Sequence, residues 1–583
     1  MAESTSKEIG SMSTTVPLSR EAAGSGAEPD LDGAIAELHA GAARWSQLSA
    51  MDRSRLLAAV HAAIPAHAER WVRAACAAKG LDPSSPLAGE EWTSGPYGLL
   101  EGSAALARSL AAIAAGRSPV DGHRVGTAPG GRVAVRVLPA DARQAVLLHG
   151  FAAEVWMPPG VTSERVRAEA GLGALRVREN GGVGLVLGAG NVTSIAPLDA
   201  LYELVAHNRA VIVKLNPTLA SLLDVYRAVL APLIEADVVR VVAGDGAVGA
   251  YLSAHPGIDH VHITGSAATH DAIVWGTGEE GARRRAAGEP LLATPITSEL
   301  GGVSPVIVVP GRWSRRDLRF QAEHVATMRL HNAGHNCIAA QVVIVSADWP
   351  QKEAFLAELR AVLDALPSRA PWYPGAQERV DRIVAAHPGA EVHGDNVLLP
   401  TADADACESE YFAPVLGVVE LAGTGERFLE RAVSFANAEL TGTLGANIVV
   451  QPRDRRAMGA AFDEALAELR YGTIAVNAWT AVGFLTAGAP WGAFPGGTLD
   501  DVGSGIGVVH NALLLDGPER TVVTGPFRPF PRSVLHGEWS LFPKPPWFVT
   551  ARSAAQTGEA LTRYAAKPSW VRLPAVFLAA FRA

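Results

Sequence analysis

Residues 31–117 carry apolar residues at intervals of three and four positions, beginning with "LDGAIAELHAGAARW". This spacing places the apolar residues on one face of an α-helix, so the stretch is predicted to be helical. Cys76 falls within it, where a free cysteine packs as a small apolar residue. We therefore expect a helical segment ahead of any sheet.

Beyond Gly181 the pattern changes to short, continuous apolar runs that end in small or polar residues. The runs are "GGVGLVLGAGN", "AVIVKLNP", "VVRVVAGDG" and "IDHVHITGS", and helical patterns at about 197–207, 221–234 and 247–254 separate them. Apolar strands joined by helices predict a parallel sheet covered on both faces. Ligands of such sheets bind beyond the carboxyl ends of the strands, where glycines allow close approach to the backbone. These run ends indicate a nucleotide site.

The flanking regions have patterns of their own. Residues 131–157 alternate like paired strands, and residues 275–295 are charged and glycine-rich, which we interpret as a surface insertion. "SELGGVSPVIVVP" and "YGTIAVNAWT" predict buried strands. The chain after about residue 515 is rich in proline and aromatic residues. Its final apolar run, "LPAVFLAAF", falls short of the roughly 20 residues that span a bilayer, so we expect a small helix docked on the body.

Composition narrows the class of protein. The 583 residues are 48% hydrophobic and carry a net charge of −9, so we expect more than one domain and no nucleic-acid partner. Three cysteines cannot form a disulfide framework, which favours a reducing, cytoplasmic location. Residues 1–30 are polar, lack the apolar core of a secretory signal and are predicted to be disordered. No apolar run is long enough to cross a membrane.

Cys337, in "RLHNAGHNCIAAQVVIV", is the cysteine with the most unusual surroundings, because a loop of Gly, His and Asn precedes it and a strand follows. It could be a nucleophile, a metal ligand together with His331 and His335, or a small buried residue. The metal reading is weak because Gly334 interrupts any helix and no fourth ligand is evident. A nucleophile needs an oxyanion donor and a base, and Asn191 and Glu299 lie at predicted strand ends.

Eight short motifs, in this order, resemble the aldehyde dehydrogenase superfamily over roughly residues 40–510. They are "LGAGN" with Asn191, "VIVKLNP" with Lys214, "GDGAVG" at 244–249, "HITGS" at 262–266, "ELGG" at 299–302, "GHNC" at 334–337, "EYFAP" at 410–414 and "VNAW" at 476–479. The resemblance implies an α/β fold with a Rossmann-like cofactor domain, an α/β catalytic domain and a small β extension for oligomerisation. The implied segments are 31–298 for the helices and cofactor domain (with 131–157 as the extension), 299–475 for the catalytic domain, 476–514 for the return to the cofactor domain and 515–583 for a C-terminal extension.

The resemblance also assigns catalytic roles. Cys337 is expected to be the nucleophile, and the site is expected to favour its thiolate. The amide of Asn191 and the backbone N–H of Cys337 are expected to stabilise an oxyanion. Glu299 is expected to activate water, with a pKa raised by apolar surroundings.

NAD or NADP is the implied cofactor, and no metal is expected. The residues assigned to the cofactor are Lys214 and Asn216 near the adenine ribose, Gly246 and Ala247 near the adenine, Gly265 and Ser266 near the pyrophosphate, and Glu410 and Phe412 beside the nicotinamide and its ribose.

Three positions depart from the family pattern. Pro217 stands where an acidic residue often excludes NADP, so we expect NADP to be accepted. Gly190 replaces an aromatic residue, which predicts a wider substrate tunnel. His270 replaces a glycine, which makes the pyrophosphate contact less certain.

The sequence therefore predicts an NAD(P)-dependent aldehyde dehydrogenase that acts on a small-molecule, hydrophobic aldehyde. The alternatives are a CoA-acylating dehydrogenase or acyl reductase, and a non-catalytic binding homologue. A homodimer or homotetramer is expected, with "VAVRV" and "AVLLHG" as the strands that pair across subunits. The sequence does not indicate whether the residues after 515 cap the substrate entrance or cover a subunit interface.

Overall fold

The computed structural model describes residues 30–177 and 181–583. The predicted disorder of residues 1–30 falls, except for Asp30, outside the described residues. The first described segment is helical, as predicted. Its first two helices begin at capping side chains: Asp30 accepts a hydrogen bond from the N–H of Gly33, and Ser49 accepts one from the N–H of Asp52. These helices are Leu31–Gln47, Ala50–Ala78, Gly89–Trp92 and Gly98–Ala114.

A six-stranded sheet forms within residues 183–506. In spatial order its strands are Gly505–Ile506, Ile296–Leu300, His260–Gly265, Val183–Leu187, Ala210–Lys214 and Val239–Val242. All neighbours are parallel except the first pair, which confirms the predicted parallel sheet. Its connecting and flanking helices are Ile195–His207, Leu223–Val229, Ala231–Glu235, Gly246–Ala254, Ala267–Val274 and Gly278–Ala287.

An eleven-stranded sheet forms the second layer. In spatial order its strands are Val125–Ala128, Arg132–Leu138, Ala152–Trp156, Arg520–Thr524, Thr473–Val476, Gly445–Val449, Ser304–Val308, Ala340–Ser346, Val415–Leu421, Asn396–Leu399 and Glu391–His393. Its central strands are fully buried, as continuous apolar runs predict. The helices associated with it are Arg315–Leu330, Lys352–Ala365, Ala376–Ala386, Ala404–Glu408, Gly425–Glu439, Pro452–Met458, Ala460–Glu468 and Thr480–Phe484.

The predicted extension differs from expectation in two ways. "AVLLHG" is not a strand, because Ala142–Leu147 is a helix that begins at the capping side chain of Asp141. Strand Ala152–Trp156 pairs antiparallel with Arg520–Thr524, which pairs parallel with Thr473–Val476 of the same chain. The extension thus completes its own chain's sheet. A pairing across subunits is absent from this single-chain structure and stays a prediction.

The structure gives detail for two further segments, residues 275–295 and the end of the chain. Residues 275–295 contain an exposed helix, Gly278–Ala287, but Leu291, Leu292 and Thr294 line a cleft, so their interpretation as a surface insertion was incomplete. The end of the chain forms helices Arg532–Leu535, Ala554–Ala566 and Leu573–Ala580. The last of these packs Leu573 and Val576 against Leu147, which confirms the predicted docked helix. Among the described residues, no helix is long and apolar enough to cross a bilayer.

Candidate active site

Cys337 lies in a turn between helix Arg315–Leu330 and strand Ala340–Ser346. Three consecutive residues, Asn332, Ala333 and Gly334, have positive φ angles of 57°, 54° and 79°. This left-handed run reverses the chain, and Gly334 has no room for a side chain because a Cβ would lie 2.9 Å from the backbone of Ala413. The turn holds Cys337 partly buried, at the edge between the two sheets.

Asn191 follows strand Val183–Leu187 of the smaller sheet and is hydrogen-bonded to the turn that contains Cys337. Its Nδ2 donates a 2.9 Å hydrogen bond to the carbonyl of His335. Asn332 donates to the carbonyls of both Asn191, at 3.1 Å, and His335, at 3.0 Å. These bonds hold the Asn191 amide beside Cys337 and leave its second N–H for another acceptor.

Glu299 is a buried residue of strand Ile296–Leu300, and Trp491 Nε1 donates a 3.0 Å hydrogen bond to its Oε1. Burial raises the pKa of Glu299 to about 7, and the carboxylate of Asp199 adds to the rise. The carboxyl group of Glu299 and the thiol of Cys337 are near enough for each to shift the pKa of the other. A carboxyl group with this pKa can take up and release a proton near neutrality.

The thiol of Cys337 is protonated in this environment. Burial raises its pKa well above the ordinary value, and the carboxylates of Glu299 and Glu410 raise it further. The expectation that the site favours the thiolate is therefore wrong for the protein by itself. The carboxyl group of Glu299 instead provides an acceptor for the thiol proton.

A cleft of about 1030 Å³ opens beyond the carboxyl ends of the smaller sheet. It is lined by Cys337, Glu299 and Asn191 at one end, and by every residue assigned to the cofactor except Ala247. Those residues are Lys214, Asn216, Gly246, Gly265, Ser266, Glu410 and Phe412. Ala247 lies on helix Gly246–Ala254 beside the cleft without lining it.

The walls of this cleft suit an extended ligand with polar and aromatic parts. Lys214 is buried at the end of its strand, and burial lowers its pKa. Ser266 caps helix Ala267–Val274 by accepting a hydrogen bond from Thr269, and a Cβ placed on Gly246 would meet nothing within 4 Å. Glu410 packs against Gly301, and its pKa is raised by burial to about 8.

The two departures at Gly190 and His270 have different consequences from those expected. Gly190 lines the cleft, and a Cβ there would lie 2.6 Å from Cγ of Asn216 and 2.7 Å from Oγ1 of Thr218. The space is therefore filled, and the predicted widening of a substrate tunnel is wrong. His270 is fully buried under its helix, while Thr269 lines the cleft, so His270 does not contact a ligand there.

A second cavity, of about 150 Å³, approaches Cys337 from the other side. Most of its wall is apolar, and it is lined by residues from helices Gly89–Trp92 and Ala554–Ala566, by Trp479 and by Leu147. Cys337 lines this cavity and the cleft, so the sulfur lies where the two meet.

Comparison with known proteins gives these features a context. Residues 140–377 match the sequence model of the aldehyde dehydrogenase family. Over this stretch, 238 of the 583 residues, the chain is similar to the aldehyde dehydrogenase family.

Curated relatives are similar to part of this sequence. It is 30% identical over 226 residues to coniferyl aldehyde dehydrogenase of Pseudomonas sp. (strain HR199 / DSM 7063), covering 35% of this chain and 42% of the relative. It is 32% identical over 130 residues to N-succinylglutamate 5-semialdehyde dehydrogenase of Sphingopyxis alaskensis, covering 22% of this chain and 24% of the relative. The matches thus span less than half of these relatives.

Solved structures share the aldehyde dehydrogenase fold over most of the chain. A mutant of aldehyde dehydrogenase C of Pseudomonas syringae, in complex with NAD+ and octanal, has a TM-score of 0.57 at 18% identity, covering 85% of this chain and 88% of that one. Lactaldehyde dehydrogenase of Escherichia coli has a TM-score of 0.54 at 18% identity, covering 84% and 90%.

The histidines near Cys337 belong to packing rather than to a metal centre in this aldehyde dehydrogenase fold. The His331 ring lies 4.7 Å from that of Trp479, and the His335 ring packs on Trp372 while Nδ1 bonds to the carbonyl of Phe412. Within residues 30–177 and 181–583, no three His, Cys, Asp or Glu side chains are arranged to hold a metal ion.

Sequence reasoning missed a buried charged cluster behind the Cys337 turn. Lys79 Nζ lies 2.7 Å from Glu91 and donates a 3.1 Å hydrogen bond to Oδ1 of Asn332. Glu90 accepts from the N–H of Asn332, at 3.0 Å, and pairs with Arg369 at 2.8 Å. The only signal in the sequence was the adjacent pair of acidic residues on a four-residue helix, because Asn332 and Arg369 lie 242 and 279 positions from Glu90.

Proposed function

We propose that this protein oxidises an aldehyde to a carboxylic acid with NAD(P)+, using Cys337 as the nucleophile. One observation carries the proposal: Cys337 lines both the apolar cavity and the large cleft, and Glu299 lines the cleft beside it. An aldehyde in the cavity and a dinucleotide in the cleft would then face the same sulfur.

The first step is addition of the sulfur to the aldehyde carbon. Glu299 accepts the thiol proton as the carbon–sulfur bond forms, because its carboxyl group lines the cleft together with the thiol. The aldehyde oxygen becomes an oxyanion, which the free N–H of Asn191 and the backbone N–H of Cys337 stabilise. A donor of this kind contributes about a hundredfold to a thousandfold in rate.

A bound nicotinamide supplies the hydride acceptor that allows the thiohemiacetal on Cys337 to become a thioester. The residues that fit such a group are Lys214, Ser266 and Glu410 around a cleft wide enough for a dinucleotide. The proton that Glu299 took from the thiol first passes to solvent, which returns the carboxyl group to its ionised form. Water then attacks the thioester carbon with Glu299 as the base, which releases the carboxylic acid and the Cys337 thiolate, and Glu299 passes the proton taken from water to that thiolate.

NADP is expected to be accepted alongside NAD. Pro217 begins the turn of 3₁₀-helix Pro217–Leu222, and the side chain of Asn216 caps that turn by accepting a hydrogen bond from Thr218. A cap at this place brings no negative charge that would repel a 2′-phosphate.

Two alternatives remain distinct from this proposal. A CoA-acylating enzyme has no need of a base for water, and the position of Glu299 beside Cys337 in the cleft favours hydrolysis. A non-catalytic homologue has no need to keep Cys337, Glu299 and Asn191 together at the junction of two cavities. The hydrophobic substrate, the cytoplasmic location and the homodimer or homotetramer are part of the proposal, and a monomer in sedimentation at micromolar concentration would contradict the last.

The test is the formation of NADH and NADPH from aliphatic and aromatic aldehydes, with coniferyl aldehyde included because a relative is named for it. Wild type, Cys337→Ala and Cys76→Ala are assayed with and without CoA. We expect turnover without CoA that Cys337→Ala abolishes and Cys76→Ala retains. A strict requirement for CoA would establish the acylating alternative, and cofactor binding without any turnover would establish the non-catalytic one.

A further inference from the structure

The residues after the last strand of the larger sheet, 525–583, are called the tail here. The tail is anchored along helix Arg315–Leu330, which leads into the Cys337 turn. Gln321 donates a 2.6 Å hydrogen bond to the carbonyl of Phe527, and Glu323 pairs with Lys544 at 2.8 Å. Phe548 stacks on His324 with a centroid distance of 5.2 Å. These three contacts fall within about one turn of the helix, and they fix the tail to the rest of the protein.

A second anchor brings the tail to the far side of the apolar cavity. Helix Ala554–Ala566 crosses the short helix Gly89–Trp92 so closely that a Cβ on Gly89 would lie 2.4 Å from the backbone of Ala554. A Cβ on Gly558 would lie 2.8 Å from Cβ of Trp92. Glycines at this crossing allow backbone-to-backbone contact, which leaves no gap between the tail and the N-terminal helices.

The tail supplies a large part of the cavity wall. Its lining residues include Phe542, Trp547, Val549, Gly558, Leu561 and Val576. The opposite wall contains Cys337, Val192 and Trp479 from the body. A ligand that extends from Cys337 toward the tail therefore meets apolar side chains along its length. The free volume of about 150 Å³ is small compared with that of the cleft, so the cavity suits a narrow ligand.

We propose that the tail forms the outer wall of the aldehyde cavity and selects elongated, apolar aldehydes. The proposal rests on the proposed function for its reactive end, at Cys337, and goes beyond it by naming the substrate class and the segment that sets it. Burial of a hydrocarbon chain against such a wall raises binding by about fourfold for each methylene group.

The first test measures kcat/KM for unbranched aldehydes from acetaldehyde to dodecanal. Wild type is compared with Leu561→Phe, which narrows the cavity from the side of the tail. The control is Gln556→Phe, which introduces the same side chain at an exposed position of the same helix. We expect kcat/KM of wild type to rise with chain length. Leu561→Phe is expected to lose about tenfold or more for dodecanal and to retain acetaldehyde turnover, while Gln556→Phe matches wild type.

A second test does not depend on turnover. The rate at which N-alkyl iodoacetamides of increasing length alkylate Cys337 is followed by mass spectrometry without cofactor, with Cys337→Ala as the blank. Trp547→Ala, which removes a large apolar side chain from the wall, provides a second variant should Leu561→Phe not fold. We expect wild type to react faster with longer reagents and the variant to lose that dependence.

The outcomes separate the two proposals. A length-dependent alkylation that the tail variants alter, with no oxidation of any aldehyde, would support the apolar cavity and overturn the proposed function. A flat dependence on length in both assays, or equal effects of Leu561→Phe and Gln556→Phe, would overturn the role of the tail.

Discussion

The indole N–H of Trp491 donates a 3.0 Å hydrogen bond to Oε1 of Glu299, and Glu299 lines the large cleft together with Cys337. Trp491 lies on a two-residue strand that pairs with Val509–His510. The indole N–H of Trp491 is therefore held by the part of the chain that follows strand Thr473–Val476 of the larger sheet. Fixing one oxygen of the base orients the carboxyl group for proton transfer to and from the sulfur.

Behind this base lies a buried polar group that consists of Asp199, His262 and His510. Thr264 donates a 2.9 Å hydrogen bond to Oδ2 of Asp199, and His262 Nε2 lies 3.6 Å from the same oxygen. Burial by itself lowers the pKa of His262, but the hydrogen bond and charge of Asp199 outweigh it and raise the pKa. The same carboxylate raises the pKa of Glu299, so Asp199 adjusts both neighbours.

The first prediction concerns the pH dependence of turnover. Because Glu299 acts in its ionised form and its pKa is raised to about 7, kcat is expected to fall as the pH drops below about 7. Asp199→Asn removes the neighbouring charge, so the acidic limb of the profile is expected to move to lower pH. The control is Asp224→Asn, at an exposed position, which leaves the profile in place. An Asp199→Asn profile that moves to higher pH would contradict the assigned effect.

The second prediction concerns stability. The pKa of Glu299 in the folded protein lies above its ordinary value of 4.5, so the folded state binds more protons between the two values. Stability contributed by the neutral form is complete below about pH 4.5 and is lost as the pH rises through about 7. Since each pKa unit corresponds to about 1.4 kcal/mol, Glu299→Gln is expected to be more stable than wild type above pH 7 and equal to it at low pH.

Denaturant titrations of wild type and Glu299→Gln across pH measure this difference directly. The glutamine keeps an acceptor for Trp491, so the comparison isolates the charge. We expect Glu299→Gln to be more stable than wild type and inactive, because the buried base destabilises the fold and is needed for catalysis. A variant that is less stable than wild type at every pH would show that the carboxyl group is a structural element.

Much of this arrangement follows from sequence because it rests on local patterns. The apolar runs before Asn191, Lys214 and Ser266 predict parallel strands, and parallel strands place their ends together at one cleft. The path of the extension is not predictable in this way, since pairing of Arg520–Thr524 with Thr473–Val476 depends on contacts between distant segments. The helix Ala142–Leu147 overlaps the predicted strand "AVLLHG", because an apolar run of only four residues, 145–148, fits either period.

The third prediction tests the correction at Gly190. A methyl group there collides with Asn216, which lines the cofactor cleft, rather than with any residue of the apolar cavity. Gly190→Ala is therefore expected to raise KM for NAD(P)+ by about tenfold and to leave KM for the aldehyde unchanged. Gly126→Ala is the matched control, because a Cβ at that position meets nothing within 4 Å. A change confined to the aldehyde KM would restore the original reading of a tunnel at Gly190.

The fourth prediction concerns the buried pair of Lys79 and Glu91. Both side chains are almost wholly inaccessible, so Lys79→Met leaves a buried carboxylate unpaired and is expected to cost about 3–5 kcal/mol of stability. Arg55→Met breaks an exposed pair with Asp52 and is expected to cost far less stability, because solvent screens that pair. Chemical denaturation of the two variants makes the comparison.

Lys79→Met is also expected to lower kcat, for a reason separate from stability. Lys79 donates to Asn332, and Asn332 holds the carbonyls of Asn191 and His335, so loss of the donor loosens the oxyanion site. The double variant Lys79→Met/Glu91→Leu removes the unpaired charge and is expected to recover stability while kcat stays low, with cofactor affinity unchanged. If stability and kcat recovered together, the pair would act on catalysis through folding alone. A low kcat in a stable double variant would instead show that Lys79 positions Asn332, and through it the amide of Asn191.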